Sequence, residues 1–129
     1  MKYYRLHIDC KNNFETYSKI TEILGVKPTE FNTEKKDENL YSLWTYTFDE
    51  DDLETPYYDF INNFLDIIEP KFAELKQIGI KKKHITFWLN YEYDQQCGME
   101  FNPKEMKRLG KSGITMCIDC WQKNATVEL

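Results

Sequence analysis

Apolar residues along the chain follow two periods, and each change of period marks an element. Between residues 2 and 10, Tyr4, Leu6, Ile8 and Cys10 alternate with Tyr3, Arg5, His7 and Asp9, which predicts a strand with one apolar and one charged face. From 13 to 24 the period lengthens. Phe14, Tyr17, Ile20, Thr21 and Leu24 fall on one helical stripe, Asn12 is placed to cap it with Glu15 three residues on, and Gly25 closes it. Pro28 takes residues 26–39 out of the helix, and the polar run Lys35-Lys36-Asp37-Glu38-Asn39 reads as the turn of a hairpin. Its first arm lies near 29–33. The second, Leu40 to Phe48, is rich in the strand formers Trp44, Thr45, Tyr46 and Thr47.

The second half repeats the alternation of elements. Thr55 and Pro56 supply a cap and a first helical position, and Tyr57, Phe60, Ile61, Phe64, Leu65 and Ile68 share a face until Pro70 removes a hydrogen bond. A shorter turn through Phe72 and Leu75 ends at Gly79. A strand from His84 to Glu92 follows, with Ile85, Phe87, Leu89 and Tyr91 on one side and Thr86, Trp88 and Asn90 on the other. Asn102-Pro103-Lys104-Glu105 combines a cap, a first-position proline and a capping-box glutamate, and predicts a helix with Met106 and Leu109 inward and Gly110 at its end. Ile114, Met116 and Ile118 then alternate with Thr115, Cys117 and Asp119 in a last strand ending near Trp121.

Strands that alternate apolar with polar are expected to be covered on one face only, which points away from a doubly wound parallel sheet. The expected fold is α+β: a twisted, largely antiparallel sheet of four or five strands with helices on one face, its nearest match a ferredoxin-like arrangement with an added helix and strand. At 129 residues, one domain spanning 1–129 is expected.

Composition narrows the function classes. With 41% hydrophobic and 16% aromatic residues the chain is too rich in core formers to be disordered. A net charge of -5 disfavours binding to phosphate backbones and suits a basic or hydrophobic partner. The dense basic run Lys81, Lys82, Lys83, His84 reads either as a solvated loop or as a small anion patch; with stacking on Trp88 it gives a nucleic-acid role the least support of the three considered. The first residues lack the apolar core of a signal peptide, and no stretch reaches the ~18 apolar residues of a membrane span, so a cytoplasmic location without membrane insertion is expected. Cys10, Cys97, Cys117 and Cys120 are then expected to stay reduced.

Chemistry-bearing residues are few. Cys117-Ile118-Asp119-Cys120 has the spacing of a redox or zinc half-site, but residues three apart on a strand face opposite ways and no second ligand pair exists. His7, Asp9 and Asp119, with Trp88, would gather on the polar sheet face if the first and last strands were neighbours, giving either a ligand-binding cluster or a solvated face with ion pairs to Arg5. The sequence contains no phosphate-cradling glycine loop, nucleophile elbow or metalloprotease helix. No catalytic residue, metal site or cofactor is therefore assigned. The acidic run Asp49, Glu50, Asp51, Asp52 before Leu53 and Glu54 either complements a helix dipole or forms an acidic docking surface. Trp44, Tyr46, Trp88, Tyr93 and Trp121 are of the types enriched at binding hot spots, and serve equally as a second packed cluster or a homodimer contact.

Three segments carry a resemblance over nearly the whole chain: Ile20-Thr21-Glu22-Ile23-Leu24-Gly25-Val26-Lys27-Pro28-Thr29, Ser42-Leu43-Trp44, and Gly113-Ile114-Thr115-Met116-Cys117-Ile118-Asp119. Together they resemble the bacterial domain-of-unknown-function family numbered 4279. The resemblance implies a small, mostly stand-alone bacterial domain, some of whose relatives act as immunity proteins beside toxins, and it transfers no catalytic residue. Cys120 and Trp121 follow Asp119, where an acidic or aromatic residue follows in the family. The leading expectation is a non-enzymatic protein-interaction module of the immunity type. Its toxin-like basic partner would meet Asp49, Glu50, Asp51, Asp52, Trp44 and Tyr46. The alternative is a small-molecule binder or enzyme using His7, Asp9, Trp88 and Asp119.

Overall fold

A computed structural model describes residues 1–29, 41–49 and 58–124. The expected first hairpin arm, from residue 30 on, and the acidic run beyond Asp49 lie outside the described residues, as do Thr55, Pro56 and Tyr57. The elements run β1 (Lys2–Asp9), α1 (Phe14–Leu24), β2 (Leu43–Asp49), α2 (Phe60–Ile68), α3 (Phe72–Gln77), β3 (Ile85–Tyr93), α4 (Pro103–Ser112) and β4 (Thr115–Gln122). The α+β expectation holds, with the helices on one face of a four-stranded sheet.

The strand order is β2-β1-β3-β4, with β1 antiparallel to both neighbours and β3 parallel to β4. This departs from the ferredoxin-like order. There the order is 4-1-3-2 and every neighbouring pair is antiparallel, whereas here the two edge strands are exchanged and the edge pair β3 and β4 is parallel. Helix α4 is the physical reason, because a crossover helix is what returns a chain to a parallel neighbour.

Registers of the strand pairs decide what is inside. Leu6 lies level with Tyr46 on one side and Phe87 on the other, and Ile8 with Trp44 and Ile85. These residues meet Ile20, Phe60, Ile61, Phe64, Leu65, Ile68, Leu75 and Leu109 from the helices in one buried cluster. Among rings, Tyr4 stacks on Phe60 at 4.8 Å, and Phe64 meets Phe87 edge-on at 5.4 Å. Such pairs add about 0.5–1.5 kcal/mol beyond area burial.

Several helix ends differ from expectation by one residue or one turn. Asn13, not Asn12, caps α1, its side-chain oxygen accepting the Thr16 N–H at 3.1 Å, while Asn12 sits in a left-handed turn. Asp59 caps the described part of α2 by accepting the Asn62 N–H at 3.1 Å. Pro70 falls in a 3-10 turn, Glu69–Lys71, that separates α2 from α3. Helix α4 begins as expected at Asn102 and Pro103 but runs through Gly110 to Gly113, whose φ of 74° makes it the true cap. Its inward stripe is Glu105, Leu109 and Ser112. Met106, expected inside, is exposed, because the capping Asn102 donates to the Glu105 carboxylate at 2.9 Å and so turns Glu105 toward the core.

Candidate functional site

Alternation places the odd-numbered residues of β1 on the face opposite the helices, and the registers extend that face across the sheet. Three rows result. Thr45, His7, Thr86 and Thr115 form one; Thr47, Arg5, Trp88 and Cys117 the next; Asp49, Tyr3, Asn90 and Asp119 the third. Glu92 and Trp121 extend it at one end, where the indole N–H donates to the Glu92 carboxylate at 3.0 Å.

This face is more enclosed than its polarity suggests. Thr45 and Asn90 are buried, and His7, Arg5, Tyr3 and Trp88 are half-buried. The Arg5 guanidinium lies 4.8 Å from the centre of the Tyr3 ring, and the His7 ring lies 6.1 Å from that of Trp88. Two atoms stand out. The Thr47 hydroxyl and the Asn90 side-chain amide nitrogen are buried and have no hydrogen-bond partner. An unmet buried donor costs about 1–3 kcal/mol, so these two groups on one face are a standing cost to the isolated chain.

His7 is held neutral over most of the pH range. Burial first, and the positive charge of Arg5 second, push its pKa down to about 4. The catalytic version of the cluster does not assemble. Asp9 is exposed, on the same strand face, and accepts the Lys11 N–H at 2.9 Å in the turn that follows. Asp119 sits beyond β3 and level with Tyr3, four residues along β1 from His7, because β1 and β4 are not neighbours. His7 and Trp88 are therefore brought together and Asp119 is not.

The remaining sequence candidates separate in the same way. Trp44 is fully buried, level with Ile8, and its indole N–H donates to the Thr21 hydroxyl at 3.0 Å, so it presents no surface to a partner. Tyr46 is half-buried against the core, edge-on to Phe64. Asp49 ends β2 level with Tyr3, while Glu50, Asp51 and Asp52 lie outside the described residues. Cys117 faces the polar side level with Trp88, and Cys120 faces the other side level with Tyr91, beside the Cys97 thiol. Burial pushes the Cys10 thiol up to about 11, which leaves it a poor nucleophile. Among the described residues no group of three His, Cys, Asp or Glu side chains is placed to hold a metal ion.

Asn90, Thr45 and Thr47 were not singled out from the sequence. Asn90 alternates in phase with Trp88, which was a legible sign of its face. Its place level with Tyr3 is supplied only by the register. A recess of 460 Å³ at the carboxyl end of β3 was also not foreseen, its walls including Tyr58, Phe60, Met99 and Phe101 with Lys2 and Glu100 at the polar positions.

The chain matches the family described as a domain of unknown function, DUF4279, over residues 10–123. It belongs to that family. The match covers every element of the fold except β1, so Tyr3, Arg5 and His7 of the sheet face lie outside it and the β2, β3 and β4 residues of that face lie within it. No curated protein and no solved structure matches the chain. Among the described residues, no helix of this DUF4279 member is long and apolar enough to cross a membrane.

Proposed function

We propose that the chain is a non-enzymatic interaction module that recognises a protein partner through the sheet face opposite the described helices. The observation that carries this reading is the pair of buried, unpartnered polar groups, Thr47 Oγ1 and Asn90 Nδ2, on a face that also holds Tyr3, Arg5, Trp88 and Trp121. Tryptophan, tyrosine and arginine dominate hot spots, and a partner's carbonyl or carboxylate oxygens would satisfy the Asn90 donor on docking. A neutral His7 and an Asp9 used in a turn favour binding over acid-base catalysis. The net charge of -5 favours a basic partner, and inhibition of a toxin is the instance that the family resemblance suggests. The cytoplasmic setting in this reading rests on cysteines too sparse for a disulfide framework.

The test compares three baits in affinity capture from the native lysate: the unaltered chain, an Arg5→Ala, Trp88→Ala variant, and an Asp49→Asn, Asp51→Asn, Asp52→Asn variant, each first checked for its fold by circular dichroism. A stoichiometric partner held by the first and third baits and lost by the second supports the sheet face. Loss with the third bait alone transfers recognition to the acidic run. Sedimentation showing that the chain covers this face with a second copy of itself replaces a foreign partner with a homodimer.

A further inference from the structure

On the helix side, at the opposite end of the sheet from Asp49, α3 and the turn before β3 enclose a second recess of 480 Å³. Its floor is apolar, made by Phe72, Ala73, Ile80 and Ile85. The charges that line it are Lys76, Lys81, Lys82 and Lys83, all of one sign in a chain whose net charge is -5. Local structure fixes part of this rim. Lys82–His84 forms a 3-10 turn, and the His84 Nδ1 accepts the Lys81 N–H at 2.9 Å. The Lys82 ammonium stands 5.1 Å from the centre of the Phe72 ring, and its stem passes so close to Gly113 that a Cβ there would lie 3.3 Å from Lys82 Cδ. Glu74, the nearest carboxylate on α3, pairs with Lys71 at 3.5 Å and does not line the recess.

We propose that this recess binds a fatty-acid-like ligand, an unbranched alkyl chain on the Phe72–Ile80 floor with its carboxylate among Lys81, Lys82 and Lys83. The volume lies in the range of about 300–1,000 Å³ typical of small-molecule sites. An inorganic anion leaves the apolar floor in water and gains nothing from it. A nucleic acid needs aromatic platforms for its bases, and the floor offers one ring, already under Lys82. A carboxylate on an alkyl chain uses both the floor and the rim. The site is independent of the polar sheet face and does not rest on the protein-partner reading.

The test titrates the full-length chain with decanoate, decanol, acetate and a single-stranded oligonucleotide, read by calorimetry and by amide shift mapping. The expected result is saturable one-site binding of decanoate with shifts concentrated at residues 72–85, and about tenfold weaker binding of decanol and of acetate. A Lys82→Glu, Lys83→Glu variant is expected to lose at least about tenfold in decanoate affinity, and Ala73→Asp, which charges the floor and leaves the lysines, to lose a similar factor. Acetate binding as well as decanoate overturns the proposal in favour of a simple anion patch. Oligonucleotide retention at the same amides, weakening with salt, overturns it in favour of nucleic acid. Decanoate binding untouched by both variants places the ligand elsewhere.

Discussion

At the residue scale the sheet face holds groups whose free energy in the isolated chain is unfavourable. The Asn90 amide nitrogen is buried without a partner, so replacing it by an apolar side chain of similar volume removes a desolvation penalty. Asn90→Leu is expected to raise the unfolding free energy by about 1 kcal/mol in urea denaturation while abolishing capture of the proposed partner. A variant less stable than the parent would show that the amide is satisfied in solution. His7 gives a pH signature on the same face. Its folded pKa of about 4 lies below the ordinary value of 6.5 expected in the unfolded chain, so between those values the unfolded chain binds a proton that the folded chain does not. Its contribution is complete above pH 6.5, declines as the pH falls toward 4 and is flat below. Allowing for solvent screening, the loss is about 1–2 kcal/mol. Denaturation of His7→Gln beside the parent across this range is expected to show a shallower decline in the variant; parallel curves would mean that His7 is not desolvated. Trp44 shows what residue type alone conceals. As a tryptophan it belongs among hot-spot residues, but Trp44, Tyr46 and Phe48 alternate with Thr45 and Thr47, and that alternation was the legible sign that the aromatic side of β2 faces the core.

At the element scale, helix identity was legible wherever caps and stripes agreed. Asn102, Pro103 and Glu105 announced α4, and Gly25 announced the end of α1, because these residues act within a few positions of themselves. Contacts between elements were not legible. Arg108 on α4 donates to the Asp66 carboxylate at 2.7 Å, to the Asn62 side-chain oxygen at 2.7 Å and to both oxygens of Glu69 at 3.2 and 3.3 Å. It thereby ties α4 to α2 and to the 3-10 turn after it, and its planar fork is what permits acceptors on three residues at once. Arg108→Ala is expected to cost about 2 kcal/mol and Arg108→Lys more than half of that, since an ammonium cannot span the three partners. A lysine variant as stable as the parent in denaturant would show that charge alone matters. The end of α4 offers a second check. Gly113 combines a φ of 74° with the 3.3 Å approach to Lys82 Cδ, so Gly113→Ala is expected to cost about 1 kcal/mol or more, read as a lowered thermal midpoint. Reading Gly110 as the end of this helix placed the stop one turn early, because glycine in a helix interior is tolerated and only the backbone distinguishes the two.

At the scale of the whole molecule, the order of strands was the least legible feature, since it depends on pairing between residues far apart in sequence. Ile8 meets Ile85, and nothing near either residue states that β1 lies between β2 and β3. The same order explains why the expected cluster failed: β3 separates His7 from Asp119, so the face was legible and its arrangement was not. The two edges differ in how they are treated. Along β2, Thr29 donates its N–H to the Thr45 carbonyl at 2.7 Å, and its hydroxyl accepts the Thr47 N–H at 2.8 Å, which blunts that edge. Along β4, no strand pairs with the outer edge among the described residues. Because β1 and β3 bond on both sides, their amides can exchange only on large-scale opening, whereas in β4 only the N–H groups directed at β3 are bonded. Native-state hydrogen exchange is therefore expected to give uniformly slow amides in β1 and β3 and an alternation of slow and fast amides from Thr115 to Gln122. Uniform protection of β4 that fades on dilution would mean that a second copy covers the edge, and binding at the sheet face would then have to be read in the dimer. Alternation that persists at every concentration leaves β4 as a true edge and the sheet face opposite the described helices, on a single chain, as the surface open to the proposed partner.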